Sequence, residues 1–150
     1  MGSDYFVQHV PQTQQMSCWA ASTAMMIGYH ENQSYPESAV LERFRQFGVD
    51  GADNEECKTL ANQVGLTVLS DACRNAQGWA EVLQRGPVMV GTPNHVLVVA
   101  GINGEDDDSS AQLKIVDPAE SGEYWGGYQD IEQQYELNPD AGYTVNLFQW

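Results

Sequence analysis

The chain has 150 residues, 42% hydrophobic and 10% aromatic, a length that suits one domain over residues 1–150 and a composition that excludes global disorder. Six Lys and Arg stand against 21 Asp and Glu, a net charge of −15. A surface of that sign repels phosphate backbones and anionic headgroups, which argues against nucleic-acid and membrane partners; it either favours a basic substrate or protein or serves solubility alone.

No apolar run nears the ~20 residues that span a bilayer. The start, Met1-Gly2-Ser3-Asp4, carries neither the basic nor the apolar stretch of a signal peptide, and residues 1–10 read as an extended N-terminal segment. From Cys18 to Tyr29, Trp19, Thr23 and Met26, with Ala20, Ala24 and Ile27, recur at three- and four-residue steps, which predicts a largely buried helix. Ser34-Tyr35-Pro36-Glu37 offers an N-cap, an early proline and a capping-box glutamate, opening a second helix that Gly48 ends. Asp53 with Glu56 repeats the signature for a third helix, stopped by Gly65. A shorter helix is expected from about Ala76 to Arg85, with Trp79, Val82 and Leu83 inward.

The period then changes. Pro87-Val88-Met89-Val90-Gly91, His95-Val96-Leu97-Val98-Val99-Ala100-Gly101-Ile102 and Leu113-Lys114-Ile115-Val116-Asp117 are β-branched-rich runs separated by turns, and the acidic stretch after Gly104 reads as a hairpin tip. Tyr143-Thr144-Val145-Asn146-Leu147-Phe148 reads as a last strand. Between them, Tyr124-Trp125-Gly126-Gly127-Tyr128 is open to two readings: a loop flanking a cleft, or turn and packing residues. Helices followed by strands predict an α+β domain, a helical layer on an antiparallel sheet.

Three cysteines, Cys18, Cys57 and Cys73, form no disulfide framework and fit no zinc spacing, so no metal or cofactor is expected; Cys57 and Cys73 read as buried thiols, with pairing in an oxidising compartment as the alternative. Cys18 lies where a polar run meets the first helix. There it is either a small core residue or a nucleophile, since unpaired N–H groups and the macrodipole at a helix start favour a thiolate. His95 opens the most apolar strand. Asp117 closes another, directly before Pro118. If these strands are hairpin neighbours, His95 and Asp117 meet at one sheet edge, and the carboxylate can hold one ring nitrogen while the other faces Cys18. Taken singly, His95 also reads as a strand cap and Asp117 as a turn residue. His9 reads as a surface or cleft residue and His30 as a surface residue at a helix C-terminus.

The segment Ser17-Cys18-Trp19-Ala20-Ala21-Ser22 resembles the nucleophile segment of papain-like cysteine proteases. Gln12, six residues before Cys18, stands at the spacing of that family's oxyanion-hole glutamine, with Gln14 and Gln15 as nearby alternatives. The His95 and Asp117 segments are similar to those of compact bacterial members, among them bacteriocin-leader peptidases and papain-like modules of secreted effectors and toxins. The resemblance covers roughly residues 10 to 120. Plant and lysosomal papains differ: they carry Cys-Gly before the segment, where this chain has Gln15-Met16, and Asn where it has Asp117. Their nucleophile and histidine also stand roughly 130 or more residues apart, farther than Cys18 and His95.

The resemblance implies a papain-like fold, with the nucleophile helix packed on the C-terminal sheet, and a cysteine endopeptidase. Cys18 would be its nucleophile, His95 its base and acid, Asp117 the group that orients the ring, and Gln12 an oxyanion donor. It implies a protein or peptide substrate and, for an effector or toxin delivered into a target cell, an immunity or inhibitor protein over the cleft. The alternatives are a leader-processing peptidase, a thiol amidase or deamidase, and a binding module that keeps the fold without the chemistry.

Overall fold

A computed structural model describes residues 2–47, 53–69, 73, 75–104 and 107–150. Among these residues seven strands are joined in one sheet: β1 (Ser3–Asp4), β2 (Thr67–Leu69), β3 (Val88–Gly91), β4 (Val96–Asn103), β5 (Gln112–Val116), β6 (Glu123–Gly127) and β7 (Asn146–Gln149). They run in the order β2-β7-β3-β4-β5-β6, with β1 paired to β4, and every pairing is antiparallel. Among the described residues five α-helices accompany it: α1 (Cys18–Glu31), α2 (Glu37–Arg43), α3 (Asn54–Val64), α4 (Ala76–Leu83) and α5 (Tyr128–Gln134).

The run Val96-Leu97-Val98-Val99-Ala100 is apolar throughout because β4 is covered on both faces. Val96, Val98 and Ala100 pack with Trp19, Met26, Val40 and Leu60 of the first three helices. Leu97 and Val99 point the other way, into a second core with Trp79, Leu83, Tyr128 and Ile131 of α4 and α5. A strand buried on both sides loses the alternation that marks a half-exposed one. The expected single helical layer is therefore the α1–α3 side only; α4 and α5 cover the opposite face.

The first helix is buried from Trp19 through Ile27 and is pinned to the sheet where Ser22 Oγ donates to the Val96 carbonyl at 3.0 Å. The third starts as the sequence indicates: Asp53 accepts from the Glu56 N–H, Glu56 accepts from the Asp53 N–H, and Gly65 ends it in the left-handed region at φ 90°. The second helix departs from expectation. Pro36 occupies its N-cap with no side-chain cap bond, Ser34 instead donates to Gln8, and the Glu37 side chain turns inward to bind the N-terminal loop. Its continuation is a single 3-10 turn, Arg45–Phe47; the expected stop at Gly48 lies outside the described residues.

The glycine-and-aromatic cluster is neither a cleft loop nor a turn. It is β6, the edge strand beyond β5, running directly into α5. A Cβ on Gly126 would stand 2.7 Å from Ile131 Cδ1, so the glycine is what lets α5 fold back against its own strand.

Candidate active site

The pairing Val98↔Val116 in the β4–β5 hairpin brings the residue before β4 and the residue after β5 to the same end of the sheet. His95 and Asp117 meet there, His95 Nε2 lying 2.5 Å from Asp117 Oδ1. Nδ1 is the ring nitrogen left over; Cys18 and His95 line the same cavity, and the thiol is close enough to help raise the imidazole pKa. Cys18 itself is half-buried at the first position of α1, where the opening N–H groups of a helix lack intrahelical acceptors. Ser17, just ahead, is fully buried. A cavity of about 270 Å³ opens beside the thiol, lined by Met16, Asp53, Cys57, Thr92, Asn94 and His95 among others.

The electrostatics follow from burial and partners. Burial alone would lower the His95 pKa, but the Asp117 and Cys18 hydrogen bonds outweigh it and carry the imidazole up to about 9. Burial would raise the Asp117 carboxyl, yet bonds from His95, the Ala119 N–H and the Tyr135 hydroxyl hold it below its ordinary value. The other two cysteines are set apart. Burial, then the neighbouring charge of Cys18, pushes the Cys57 thiol up to about 12; burial, then Glu81, does the same for Cys73.

Gln12 sits on the loop leading to the thiol, but its amide is turned back. Nε2 donates to the carbonyls of Gln14 and Gln15, each at 2.9 Å, so both amide hydrogens are occupied. Gln14 and Gln15 are exposed and contribute those carbonyls. The Gln12 backbone N–H donates to the Pro118 carbonyl at 3.0 Å, and half-buried His9 places Nε2 2.8 Å from the Asp117 carbonyl oxygen. His9 is thus neither a free surface histidine nor a cleft residue; it ties the loop to the end of β5. Trp19 is buried beneath the site, edge-on to Phe47. His30 lies exposed at the far end of α1, stacked on Trp150 at 3.9 Å.

Two residues of the site escape the sequence reading. Glu37, expected to cap its own helix, is 5% exposed and accepts from the Thr13 N–H, the Thr13 hydroxyl and the Ser17 hydroxyl. Tyr135 closes α5 and donates to Asp117 Oδ2 at 2.7 Å. The spacing Tyr128, Ile131, Tyr135 at helical steps is the signal that would have found it. Among the described residues no group of three or more His, Cys, Asp or Glu could hold a metal, and no helix is long and apolar enough to cross a membrane.

A thiol at a helix start, an imidazole shared between thiol and carboxylate, and a preceding loop held by backbone bonds is a constellation for thiol acyl transfer. The sequence matches the family described as papain-like cysteine protease AvrRpt2 over residues 4–136. The chain belongs to this family of papain-like cysteine proteases. A solved structure with a similar fold is the peptidase domain of Streptococcus ComA, a bi-functional ABC transporter involved in a quorum-sensing pathway. The likeness has a TM-score of 0.65 at 18% identity and covers 96% of this chain and 98% of that one, which concerns the fold alone. A comparison by sequence with curated proteins gives no match. As a papain-like peptidase the protein acts on a protein or peptide substrate, and its papain-like fold is the mixed helix and antiparallel-sheet architecture described above.

Proposed function

We propose that the protein is an endopeptidase that cleaves through Cys18, His95 and Asp117. The observation that carries this is the position of one imidazole between a thiol and an otherwise buried carboxylate. An imidazole protonated up to about pH 9 is the partner that stabilises a thiolate at neutral pH. The Cys18 sulfur attacks the scissile carbonyl, and the C=O electron pair moves onto oxygen. When the tetrahedral adduct collapses, the C–N bond breaks and the His95 imidazolium gives its proton to the leaving amine. The thioester left on Cys18 is then hydrolysed by water whose proton returns to His95. Asp117 keeps Nε2 engaged so that Nδ1 stays directed at the sulfur.

The oxyanion takes the Cys18 backbone N–H and a second donor. Gln12 fills that place when one of its amide hydrogens leaves the Gln14 or Gln15 carbonyl, an exchange between two exposed bonds on one loop. Such a donor is worth about 3 kcal/mol of barrier.

The strong acidity supports a basic target. We propose that the chain is a bacterial effector module delivered into a target cell and that its producer carries an inhibitor protein covering the cleft. Proteome-wide labelling of new N-termini after exposure to the wild-type protein, with Cys18→Ala as control, tests the peptidase reading. New termini dependent on Cys18 are expected, and identical terminomes for the two proteins would refute it. Equal growth of cells expressing the two forms would refute the effector role.

A further inference from the structure

The two oxygens of Asp117 have different partners. Oδ1 accepts from the His95 ring at 2.5 Å and from the Ala119 N–H at 2.9 Å, whereas Oδ2 accepts from the Tyr135 hydroxyl at 2.7 Å. An ionised carboxylate can only accept, so Tyr135 is the donor. Its oxygen lies 2.7 Å from the Tyr124 hydroxyl. With the Tyr135 proton committed to Asp117, Tyr124 must donate to Tyr135. A directed chain therefore runs from Tyr124 through Tyr135 to the carboxylate that holds His95.

The chain is built on elements that supply no reacting atom. Tyr124 belongs to β6, and Tyr135 is the residue that caps the end of α5. Tyr135 is 8% exposed and Asp117 3%, so bulk water has little access to replace a lost donor. The Tyr135 ring also lies nearly parallel to the His95 ring, 12° between planes and 6.2 Å between centroids. One side chain thus meets both members of the imidazole–carboxylate pair.

We propose that Tyr135, backed by Tyr124, is a positioning residue of the peptidase site: its hydroxyl fixes the Oδ2 edge of Asp117 and thereby keeps Oδ1 on His95 Nε2. The inference rests on the roles given above to Cys18, His95 and Asp117. The terminal torsion of an aspartate is broad and two-fold. His95 and Ala119 both bind the same oxygen, so they do not stop the carboxylate from pivoting about it. A donor on the opposite oxygen does. Burial, then the bonds to Tyr124 and Asp117, raises the Tyr135 phenol far above its ordinary value, so the hydroxyl stays a donor across the working pH range.

The titratable groups that face this pair are Cys18 from α1 against His95, Tyr135 from the end of α5 against both, His9 from the N-terminal segment against the Asp117 carbonyl, and Tyr124 from β6, with Glu120 near it, behind Tyr135. Tyr135→Phe keeps the ring and deletes only the donor. It is expected to lower kcat about tenfold, the factor for one lost hydrogen bond to a charged group, with KM within about twofold. Looser support from Asp117 also brings the His95 titration, followed by NMR of the ring, down from about 9 toward its ordinary value near 6.5. Tyr124→Phe shifts both readouts in the same direction by less.

An His95 titration in Tyr135→Phe that is unchanged or moves upward overturns the proposal, as does a larger effect from Tyr124→Phe than from Tyr135→Phe. The NMR readout needs no substrate, so it separates this inference from the peptidase reading. A wild-type protein that cleaves nothing refutes that reading, while the His95 titration still decides the role of Tyr135.

Discussion

Glu37 gives the sharpest test of how the loop before Cys18 is held. Its carboxylate accepts the Thr13 hydroxyl at 2.5 Å, the Thr13 N–H at 3.2 and 3.3 Å and the Ser17 hydroxyl at 2.9 Å. Thr13 is exposed, so water replaces most of what it loses in Glu37→Ala; Ser17 is 0% exposed and falls back on the Gln14 carbonyl at 3.1 Å. Exchanging a bond to a charge for a longer neutral one, plus the cavity left by the side chain, costs about 3 kcal/mol. At about 2–4 °C per kcal/mol for a chain of this size, Tm falls about 6–12 °C. Glu37→Gln keeps shape and one acceptor. Ser17 can answer it by turning its hydrogen to the Gln14 carbonyl, 3.1 Å away, and accepting from the new amide, so the loss is about 1 kcal/mol. The assay is thermal unfolding followed by circular dichroism, paired with the rate of iodoacetamide labelling at Cys18. Both variants should slow labelling in the order of their stability loss, because Ser17 and Cys18 are adjacent. A Tm for Glu37→Ala within about 2 °C of wild type would refute the reasoning.

Three further outcomes follow from the same geometry. Near neutral pH iodoacetamide should modify Cys18 well ahead of Cys57 and Cys73, whose thiols burial pushes up to about 12, and His95→Ala should remove that preference; peptide mapping by mass spectrometry reads both. The His95 pKa is raised on folding, so its contribution to stability is fully present below about pH 6.5 and is lost as pH rises through about 9. The stability gap between wild type and Asp117→Asn, measured by urea unfolding, should therefore narrow between those values; a gap independent of pH over that window contradicts the assigned pairing. Gln12→Ala should lower kcat about a hundredfold with little change in KM if its amide serves the oxyanion, and steady-state kinetics showing unaltered kcat would confine Gln12 to bracing the loop.

How much was legible in the sequence depended on whether a signal was local. The Asp53–Glu56 capping box and the Gly65 stop depend on neighbours three or four residues away, and both are found as read. The β-branched runs of β3, β4 and β5 declare themselves by composition alone. Ser34–Glu37 carries the same local signature and misleads, because two distant hydroxyls, that of Ser17 buried, outbid the helix for the carboxylate. β6 is hidden for a related reason. Its glycines read as turn residues, whereas Gly126 is small to admit Ile131 from the helix that follows. Of the site, Cys18, His95 and Asp117 could be placed from element ends. Tyr135 is reached only through the helical step from Tyr128 and Ile131, and its bond to Asp117 depends on α5 packing against a sheet edge that the sequence does not advertise.

These misses share a physical cause, and it bears on how the site is kept rigid. The end of β5 is a junction: the Asp117 carbonyl is bonded by His9, the Pro118 carbonyl by the Gln12 N–H, and the Asp117 carboxylate by His95, Ala119 and Tyr135. The loop before Cys18, the histidine strand and the tyrosine pair are therefore referenced to the same two residues. A displacement of any one of them strains bonds to the others, so the imidazole and the loop move together or not at all. Positioning to a fraction of an ångström is what thiol acyl transfer requires. A chain of this length meets that requirement by routing long-range bonds through Asp117 and Pro118, which is why residues distant in sequence from Cys18 hold its loop in place.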